Sequence, residues 1–157
     1  MFQNILVAVD GSPTSTRGLK TAIELAADQK ATLHVVHVVD ALGVTTPLEV
    51  GYVPGDYLDR MLDTVRDNGR RILKKAEAQA AAQGVACKTT LVESVGHAVA
   101  DAVLAQVRKH RADVIVLGTH GRRGLSRALM GSDAEMIVRE AKVPVMLVRA
   151  PTARSAR

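Results

Sequence analysis

Aromatic residues and cysteine are scarce in this sequence. Tryptophan is absent, and the chain contains one phenylalanine, two tyrosines and a single cysteine, Cys87. Because proteins that bind single-stranded nucleic acid stack its bases on aromatic side chains, this scarcity argues against such a partner. A lone cysteine excludes an internal disulfide and a cysteine-rich metal site.

Long apolar runs are missing as well. No run reaches the roughly 20 residues that a membrane-spanning helix needs. Residues 1–5 show no basic segment followed by an apolar stretch and a cleavage site, which a secretory signal would require. We therefore expect a cytoplasmic protein without a membrane partner. With 157 residues, 47% of them hydrophobic, the chain fits one domain over residues 1–150, and we expect the basic tail, residues 151–157, to be disordered.

The chain is basic, with a formal net charge of +5. A basic surface raises nucleic acid as a partner. However, no predicted helix carries a concentrated basic face beside a turn of the helix–turn–helix kind. Three of the arginines, Arg122, Arg123 and Arg127, lie close together in a glycine-rich stretch, where a phosphate ligand would explain them. We therefore do not expect nucleic acid as the main partner.

Apolar runs and amphipathic segments alternate along the chain. We predict five strands, at residues 5–9, 31–39, 85–92, 114–117 and 143–148. Between them, apolar residues recur at helical spacing in segments that begin at Ser12, Asp56, Gly96 and Ser132. This alternation predicts an α/β fold: a single doubly wound domain with a five-stranded parallel sheet and helices on both faces. Such folds bind ligands at the carboxyl ends of the strands, where the strand order reverses.

Two details of the pattern predict local packing. Gly69 occupies one position of the apolar stripe of the long second helix. A residue without a Cβ there predicts close packing or a bend. In the third strand, the polar residues Lys88 and Thr90 alternate with apolar ones, which is typical of a half-exposed edge strand.

The five histidines form no metal-ligand cluster. His34 and His37 are three positions apart on a predicted strand, so they face opposite sides and cannot share a metal ion. His97 and His110 are isolated at the two ends of a predicted helix. His120 lies in the glycine-rich stretch, where it could contact a phosphate or pack within the loop; the residues alone favour neither.

A glycine-rich stretch separates the fourth strand from the last helix. Gly118 ends the strand, Gly121 follows, and Gly131 precedes the helix. A helix that begins at Ser132 directs its first backbone amides and its positive dipole end at this loop, which predicts an anion pocket for phosphate. Neither the dinucleotide-fold spacing nor a P-loop is present. The residues alone therefore give equal weight to an ordinary strand-to-helix connection in which Ser132 is the N-cap.

Asp10 follows the first strand, at the end of the sheet where ligands bind. Its carboxylate could accept a hydrogen bond from a base or sugar, help to hold a metal ion, or organise the turn into Gly11 and Ser12. The facing glycine loop favours the ligand role. No nucleophile elbow is present, and no residue stands out as the base that phosphoryl transfer needs. The sequence therefore favours a binding site over a fast enzyme.

Several segments resemble those of universal stress proteins, in the same order along the chain. Residues 5–12 are similar to the family's opening strand and turn, residues 112–121 to the approach to its nucleotide loop, and residues 143–148 to its final strand. Residues 37–39 look like the end of its second strand. The spacing of Gly118, Gly121, Gly131 and Ser132 is the specific part, and it resembles the signature of the ATP-binding subgroup. The resemblance implies the strand order 3-2-1-4-5.

The resemblance also implies roles for individual residues. The positions are Ala8, Asp10 and Val38 for adenine, Gly118 and Gly121 for the ribose and phosphates, and Gly131, Ser132 and the amide of Asp133 for the phosphate tail. His120 and Arg122, on either side of Gly121, are candidates for further phosphate contacts. The implied ligand is ATP, with Mg²⁺ or Mn²⁺ on its phosphates.

Family members are typically homodimers that pair through the last strand and act as nucleotide-dependent regulators in stress responses. We therefore expect a cytoplasmic ATP-binding regulator that forms a homodimer through residues 143–148, an apolar run at a sheet edge. The alternative is a slow ATPase or autophosphorylating enzyme, with Ser126 or Ser132 as the acceptor. A weaker alternative is a basic adaptor that binds nucleic acid.

Overall fold

The computed structural model describes residues 1–41, 55–95, 98–119 and 130–149. The strands are β1 (Asn4–Ala8), β2 (Thr32–Asp40), β3 (Cys87–Ser94), β4 (Val114–Gly118) and β5 (Val145–Val148). The helices between them are α1 (Pro13–Gln29), α2 (Gly55–Ala81), α3 (Val99–His110) and α4 (Ser132–Glu140). Strands and helices alternate along the chain, as the sequence pattern predicted.

The five strands form one parallel sheet in the order β3-β2-β1-β4-β5. At its centre, Ile5 of β1 lies opposite Leu33 of β2 and Val114 of β4. The predicted doubly wound fold and strand order are confirmed, and the order reverses between β1 and β4. β3 and β5 are the edge strands. Lys88 is exposed on β3, which confirms the prediction of a half-exposed edge.

The sheet carries an apolar core on each face. Ile5 and Val7 of β1 belong to the core beneath α1 and α2, whereas Leu6 belongs to the core beneath α3 and α4, and all three are fully buried. A strand enclosed on both faces needs an apolar side chain at every position, which explains the continuous run in the sequence. None of the helices in the described ranges is long and apolar enough to cross a bilayer.

Helix α1 begins as its sequence predicts. Ser12 is the N-cap, and its hydroxyl oxygen accepts a 3.1 Å hydrogen bond from the backbone amide of Ser15. Pro13 follows as the first helical residue, where its missing N–H costs no hydrogen bond. The helix ends at Gln29, and the next residue, Lys30, is the C-cap: it adopts a left-handed conformation (φ 53°) and its amide donates to carbonyls of the last turn.

Gly69 lets α2 pack closely on the sheet, which confirms the first of its two predicted readings. A Cβ at this position would lie 2.6 Å from Cδ2 of His37 and 2.7 Å from Cδ1 of Leu91. These distances are too short for any real carbon–carbon contact. The glycine therefore sets the separation between α2 and the strands β2 and β3.

Of the predictions about the histidines, one is confirmed and another is wrong. His34 and His37 do face opposite sides of β2: His34 contacts α3, and Nδ1 of His37 lies 2.7 Å from the carbonyl oxygen of Val9. The prediction that His110 is isolated is wrong, because its ring stacks on that of His34 with 4.4 Å between ring centroids. The last turn of α3 returns over β2, and sequence spacing does not reveal that contact. No group of three potential metal ligands occurs within the described ranges.

Several element boundaries differ from the predicted ones by two or three residues. β5 begins at Val145 rather than Val143, following Pro144, which has no amide hydrogen to donate. β3 extends to Ser94, beyond the predicted end at residue 92. α3 begins at Val99, and Gly96, where its start was predicted, lies outside the described residues, as does the tail 151–157.

Candidate functional site

The candidate site lies at the carboxyl ends of the central strands, where the strand order reverses between β1 and β4. β1 pairs with β2 on one side and with β4 on the other, and each of these strands ends at this edge of the sheet. α1 begins just after β1, and α4 begins after β4. Ala8, Asp10, Val38, Gly118, Gly131, Ser132 and Asp133 all belong to these strand ends and helix starts. The topology therefore brings seven predicted site residues to one edge.

The carboxylate of Asp10 organises the turn that leads into α1. Its Oδ1 accepts a 2.9 Å hydrogen bond from the backbone amide of Ser12, and the amide of Asp10 donates to Oγ of Ser15 at 3.3 Å. Gly11, between them, has a positive φ of 81°, a conformation that favours glycine. The turn-forming role of Asp10 is thus confirmed, and its contact with a ligand stays a prediction.

Ala8 and Val38 form part of an apolar surface at the same edge. Both are half-buried and pack against the core beneath α3 and α4. Val38 lies opposite Val92 of β3, and Val99 at the start of α3 belongs to the same margin of the core. The end of this sheet face therefore offers a partly exposed apolar surface, which suits the flat face of a base.

Gly118 is required by the contact between β4 and α1. A Cβ there would lie 2.8 Å from the carbonyl carbon of Thr14 and 2.9 Å from the backbone nitrogen of Ser15. Because both neighbours are helix backbone, they cannot move aside easily. On the facing helix, a Cβ at Gly18 would lie 3.5 Å from the nitrogen of Gly118, which is an ordinary van der Waals contact, so the packing requires glycine at position 118 and not at position 18. Packing thus accounts for this glycine, and its predicted approach to a ribose stays untested.

Two hydrogen bonds hold the start of α4 beside the end of β4. The amide of Thr119 donates to the carbonyl oxygen of Val148 on β5 at 3.0 Å. The carbonyl oxygen of Thr119 in turn accepts a 2.9 Å hydrogen bond from the amide of Gly131. Thr119 is buried, and sequence reasoning missed it because its position after a glycine carries no distinctive signal.

The first turn of α4 presents backbone amides. The helical bonding begins with the amide of Glu135 donating to the carbonyl oxygen of Gly131 at 2.9 Å. The amides of Ser132, Asp133 and Ala134 therefore have no partner within the helix. Ser132 and Asp133 are also exposed. These amides and the positive end of the helix dipole make this turn suitable for an anion.

The structure corrects the role of Ser132 in capping. The helix does begin at Ser132, as predicted, but Gly131 is the N-cap and Ser132 is the first helical residue. The alternative in which Ser132 caps its own helix is therefore wrong. Gly131 has φ −64° and ψ 147°, which any L-residue adopts, so the backbone itself does not require glycine there.

A metal ion on a bound nucleotide is compatible with this edge. Mg²⁺ is usually held by one or two carboxylates together with substrate phosphates rather than by a protein cage. The described residues contain no group of three potential ligands, so they offer no such cage. Asp133, exposed in the first turn of α4, is a carboxylate that could approach a phosphate-bound ion.

Some predicted site residues lie outside the described residues: His120, Gly121 and Arg122, together with the neighbouring Arg123, Ser126 and Arg127. A separate open groove of about 570 Å³ runs between α1 and α2, lined among others by Arg17, Ile23 and Gln79. None of the predicted site residues lines that groove.

Comparison with known proteins agrees with this architecture. The sequence profile of the universal stress protein family matches residues 1–149. The chain is 33% identical over 151 residues to the universal stress protein YxiE of Bacillus subtilis, and the alignment covers 95% of this chain and 100% of that protein. The crystal structure of a universal stress family protein from Burkholderia pseudomallei is 37% identical, with a TM-score of 0.73, over 94% of this chain and 96% of that one.

Two more distant structures share the fold. A universal stress protein solved in complex with cAMP is 24% identical, with a TM-score of 0.67, over 96% of this chain and 98% of that one. The universal stress protein of Archaeoglobus fulgidus, solved in complex with dAMP, is 22% identical, with a TM-score of 0.64, over 93% and 97% of the two chains. Because the family profile matches residues 1–149 and a curated member is 33% identical over its full length, this chain belongs to the universal stress protein family.

Proposed function

We propose that this chain binds ATP at the carboxyl edge of its sheet and acts in the cytoplasm as a nucleotide-dependent regulator of a stress response. The observation that carries the proposal is the exposed first turn of α4, fixed beside β4 by the hydrogen bond between Gly131 and Thr119. An anion there could accept hydrogen bonds from several backbone amides at once. Because the hydrogen bond to Thr119 already fixes this turn, binding does not have to order it.

The adenine end of the proposed site is the apolar surface around Ala8 and Val38. A base placed there would cover half-buried aliphatic side chains, and hydrophobic burial would favour its binding. Asp10 lies just beyond Ala8 and offers a carboxylate to the polar rim of a base or sugar. The chain thus provides the two surfaces that a nucleotide needs, one apolar and one suited to phosphate, at the same edge of the sheet.

The phosphate end of the proposed site is the reason that we propose ATP as the ligand rather than a nucleotide with one phosphate. Gly131, Ser132 and the amide of Asp133 belong to the helix start, and His120, Gly121 and Arg122 are expected to add contacts from the loop that precedes it. Two distant proteins of this fold were solved with cAMP and with dAMP, so the fold can accommodate adenine nucleotides. A longer phosphate tail would use more of the amides and arginines than a single phosphate does.

Calorimetric titration with ATP, ADP, AMP and cAMP under one set of salt and Mg²⁺ conditions tests this choice. We expect affinity to increase from AMP to ADP to ATP, because each added phosphate reaches further cationic and amide groups. Repeating the ATP titration with Mn²⁺ and with a chelator shows whether a metal ion contributes. Equal affinity for AMP and ATP would contradict the proposed phosphate-tail contacts and point instead to a nucleoside monophosphate ligand.

An enzymatic role is the second candidate. Ser132 is exposed at the anion-attracting end of α4, where a hydroxyl could accept a phosphoryl group. A single-turnover assay with ATP labelled on its terminal phosphate separates the candidates. Label retained as ATP supports a binding regulator, label released as phosphate indicates a slow ATPase, and label on protein that is lost in Ser132→Ala indicates autophosphorylation at that residue.

We further propose that β5 pairs with its counterpart in a second copy of the chain. β5 is an edge strand, and Leu147 is 38% exposed there although its side chain is large and apolar. An open edge with an apolar side chain favours pairing with another strand. The expected homodimer would use residues 143–148 and leave the carboxyl edge near Ala8 and Val38 accessible.

A further inference from the structure

Two histidines, His34 buried and His110 half-buried, stack near the amino ends of the strands, away from the proposed nucleotide site. His34 of β2 is 4% exposed, and its ring centroid lies 4.4 Å from that of His110, with 27° between the ring planes. His110 is the last residue of α3. The stack therefore joins the end of α3 to a central region of the sheet.

The polar atoms of this pair are poorly satisfied. Nε2 of His34 donates to Oδ1 of Asn4 at 3.2 Å, which leaves Nδ1 as its basic nitrogen. Within the described part of the chain, three buried side-chain nitrogen or oxygen atoms have no hydrogen-bond partner: Nδ1 of His34, Nε2 of His110 and Oε1 of Gln106. Gln106 lies one turn before His110 on α3. Unpartnered polar atoms destabilise a fold and are rare in native structures, so three of them together call for an explanation.

A shared metal ion does not provide that explanation. The lone pairs of imidazole lie in the ring plane, and two stacked rings direct them side by side rather than toward one point. The described residues also supply no third histidine, cysteine or carboxylate for such a group. The chemistry available to the stack is therefore the gain and loss of a proton.

The surroundings of the stack oppose a positive charge. The pKa of His34 is lowered by its burial, then by His110 and by Lys88 of β3. The pKa of His110 is lowered by burial, then by Lys109 and by Lys88. On the β1 side, the stack meets the neutral Asn4. The nearby carboxylate of Asp113 is already bound by the backbone amides of Gln3 and Asn4, at 2.6 and 2.8 Å.

We propose that the His34–His110 stack is a proton-operated latch, which holds the end of α3 on the sheet when both rings are neutral and releases it when they are protonated. A proton on His34 places a charge in a buried position beside a second imidazole and near Lys88, and this favours movement of the ring toward water. The release would begin at the carboxyl-terminal turns of α3, where His110 and Gln106 lie.

The direction of the pH dependence follows from the two lowered pKa values. The unfolded chain binds protons on these histidines near the ordinary pKa of 6.5, whereas the closed latch binds them only at lower pH. The stabilisation from the stack is therefore complete above that value and is lost as the pH falls below it. Since the open form binds the extra protons, acidification shifts the population toward it.

Amide hydrogen exchange of the wild-type chain tests the latch directly. After correction for intrinsic exchange rates, protection of Val103–His110 should fall several-fold between about pH 7.5 and about pH 5.5. Because each histidine takes up one proton, its contribution to this fall is at most about tenfold per pH unit. α1, on the other face of the sheet, is the internal control and should change much less. Parallel changes in α1 and α3 would overturn the proposal, because they indicate general acid destabilisation.

Two variants sharpen the test. His110→Phe keeps a ring on His34 but removes one titrating group, so α3 should lose much of its excess pH dependence. Lys88→Gln removes a cation from an exposed position and should also reduce that dependence. Wild-type pH dependence in a folded His110→Phe protein would overturn the proposal. If that variant does not fold, the proposal is overturned by a Lys88→Gln protein in which the pH dependence of exchange in α3 equals that of the wild type.

Discussion

The amide of Gly131 and the carbonyl oxygen of Thr119 are joined by a hydrogen bond of 2.9 Å. The bond connects the residue that follows β4 to the residue that precedes α4, across the glycine-rich connection at positions 120–130. Thr119 is itself bound to Val148 of β5 at 3.0 Å. The start of α4 is therefore positioned by the sheet, so its first amides do not depend on a ligand for their orientation.

Replacement of Ser132 by alanine separates ligand binding from helix stability. Because Ser132 is the first helical residue and not the N-cap, Ser132→Ala should change the free energy of unfolding by less than about 0.5 kcal/mol, as expected for an exposed site. ATP affinity should fall, since a phosphate contact is removed. Thermal melts without ligand and calorimetry with ATP measure the two effects. A stability loss near 1 kcal/mol with unchanged ATP affinity would indicate a capping role and no phosphate contact.

Asp10 offers a substitution that keeps the turn and changes the ligand contact. Asp10→Asn retains a side-chain oxygen for the amide of Ser12 while converting the other oxygen to an amide donor. If the carboxylate recognises the nucleoside, this variant should melt close to the wild type but bind ATP more weakly by about 1.5–3 kcal/mol. Binding of inorganic triphosphate should not change. Equal loss for ATP and triphosphate would place Asp10 at the phosphates or their metal ion.

The proposed dimer is tested at Leu147, the exposed apolar residue of β5. Leu147→Lys should yield monomers in sedimentation, because it places like charges opposite each other across the paired edges. Met146 and Val148 are poorer choices, since they pack against the core and a lysine there would disturb the fold. Tyr57→Lys on α2, at another exposed apolar position, is the matched control and should leave the dimer intact. A dimer that persists in Leu147→Lys would place the interface elsewhere.

Gly69 tests the close packing of α2 on the sheet. Alanine favours helix over glycine by about 1 kcal/mol, but its Cβ would overlap His37 and Leu91. We expect the overlap to dominate, so that Gly69→Ala lowers the free energy of unfolding by about 1–3 kcal/mol. Gly55→Ala, at a position where a Cβ meets nothing within 4 Å, should leave stability unchanged or increase it. Chemical denaturation of both variants measures the difference.

Much of the fold is predictable because buried parallel strands have a simple signature. Ile5, Leu6 and Val7 are apolar in sequence since both faces of β1 are covered, and the same reasoning identifies β4. The strand order is harder to predict, because right-handed crossovers permit more than one arrangement, and only the family resemblance implies it. Element ends were displaced where backbone pairing, rather than side-chain type, decides them, as at Val145 and Ser94.

The candidate site was predictable only in part. Asp10 and Gly118 were identified by their positions at strand ends, but the contacts that fix them involve Ser12 and Thr14, which composition does not reveal. The reading in which Ser132 is the N-cap follows from the preference for serine at caps, whereas the first helical hydrogen bond reaches the carbonyl of Gly131. The stack of His34 on His110 depends on how α3 returns over β2, which spacing within one element cannot predict.

Gly131→Val provides the most direct test of the central claim that the start of α4 binds the phosphates of ATP. Since φ −64° and ψ 147° are open to valine, the variant should fold, and β5 is unaltered, so any dimer should persist. Calorimetric titration with ATP should then show binding for the wild-type chain and none for Gly131→Val, because the new side chain blocks close approach to the amides. If folded Gly131→Val binds ATP with wild-type affinity, the start of α4 is not the phosphate site and the proposed function fails.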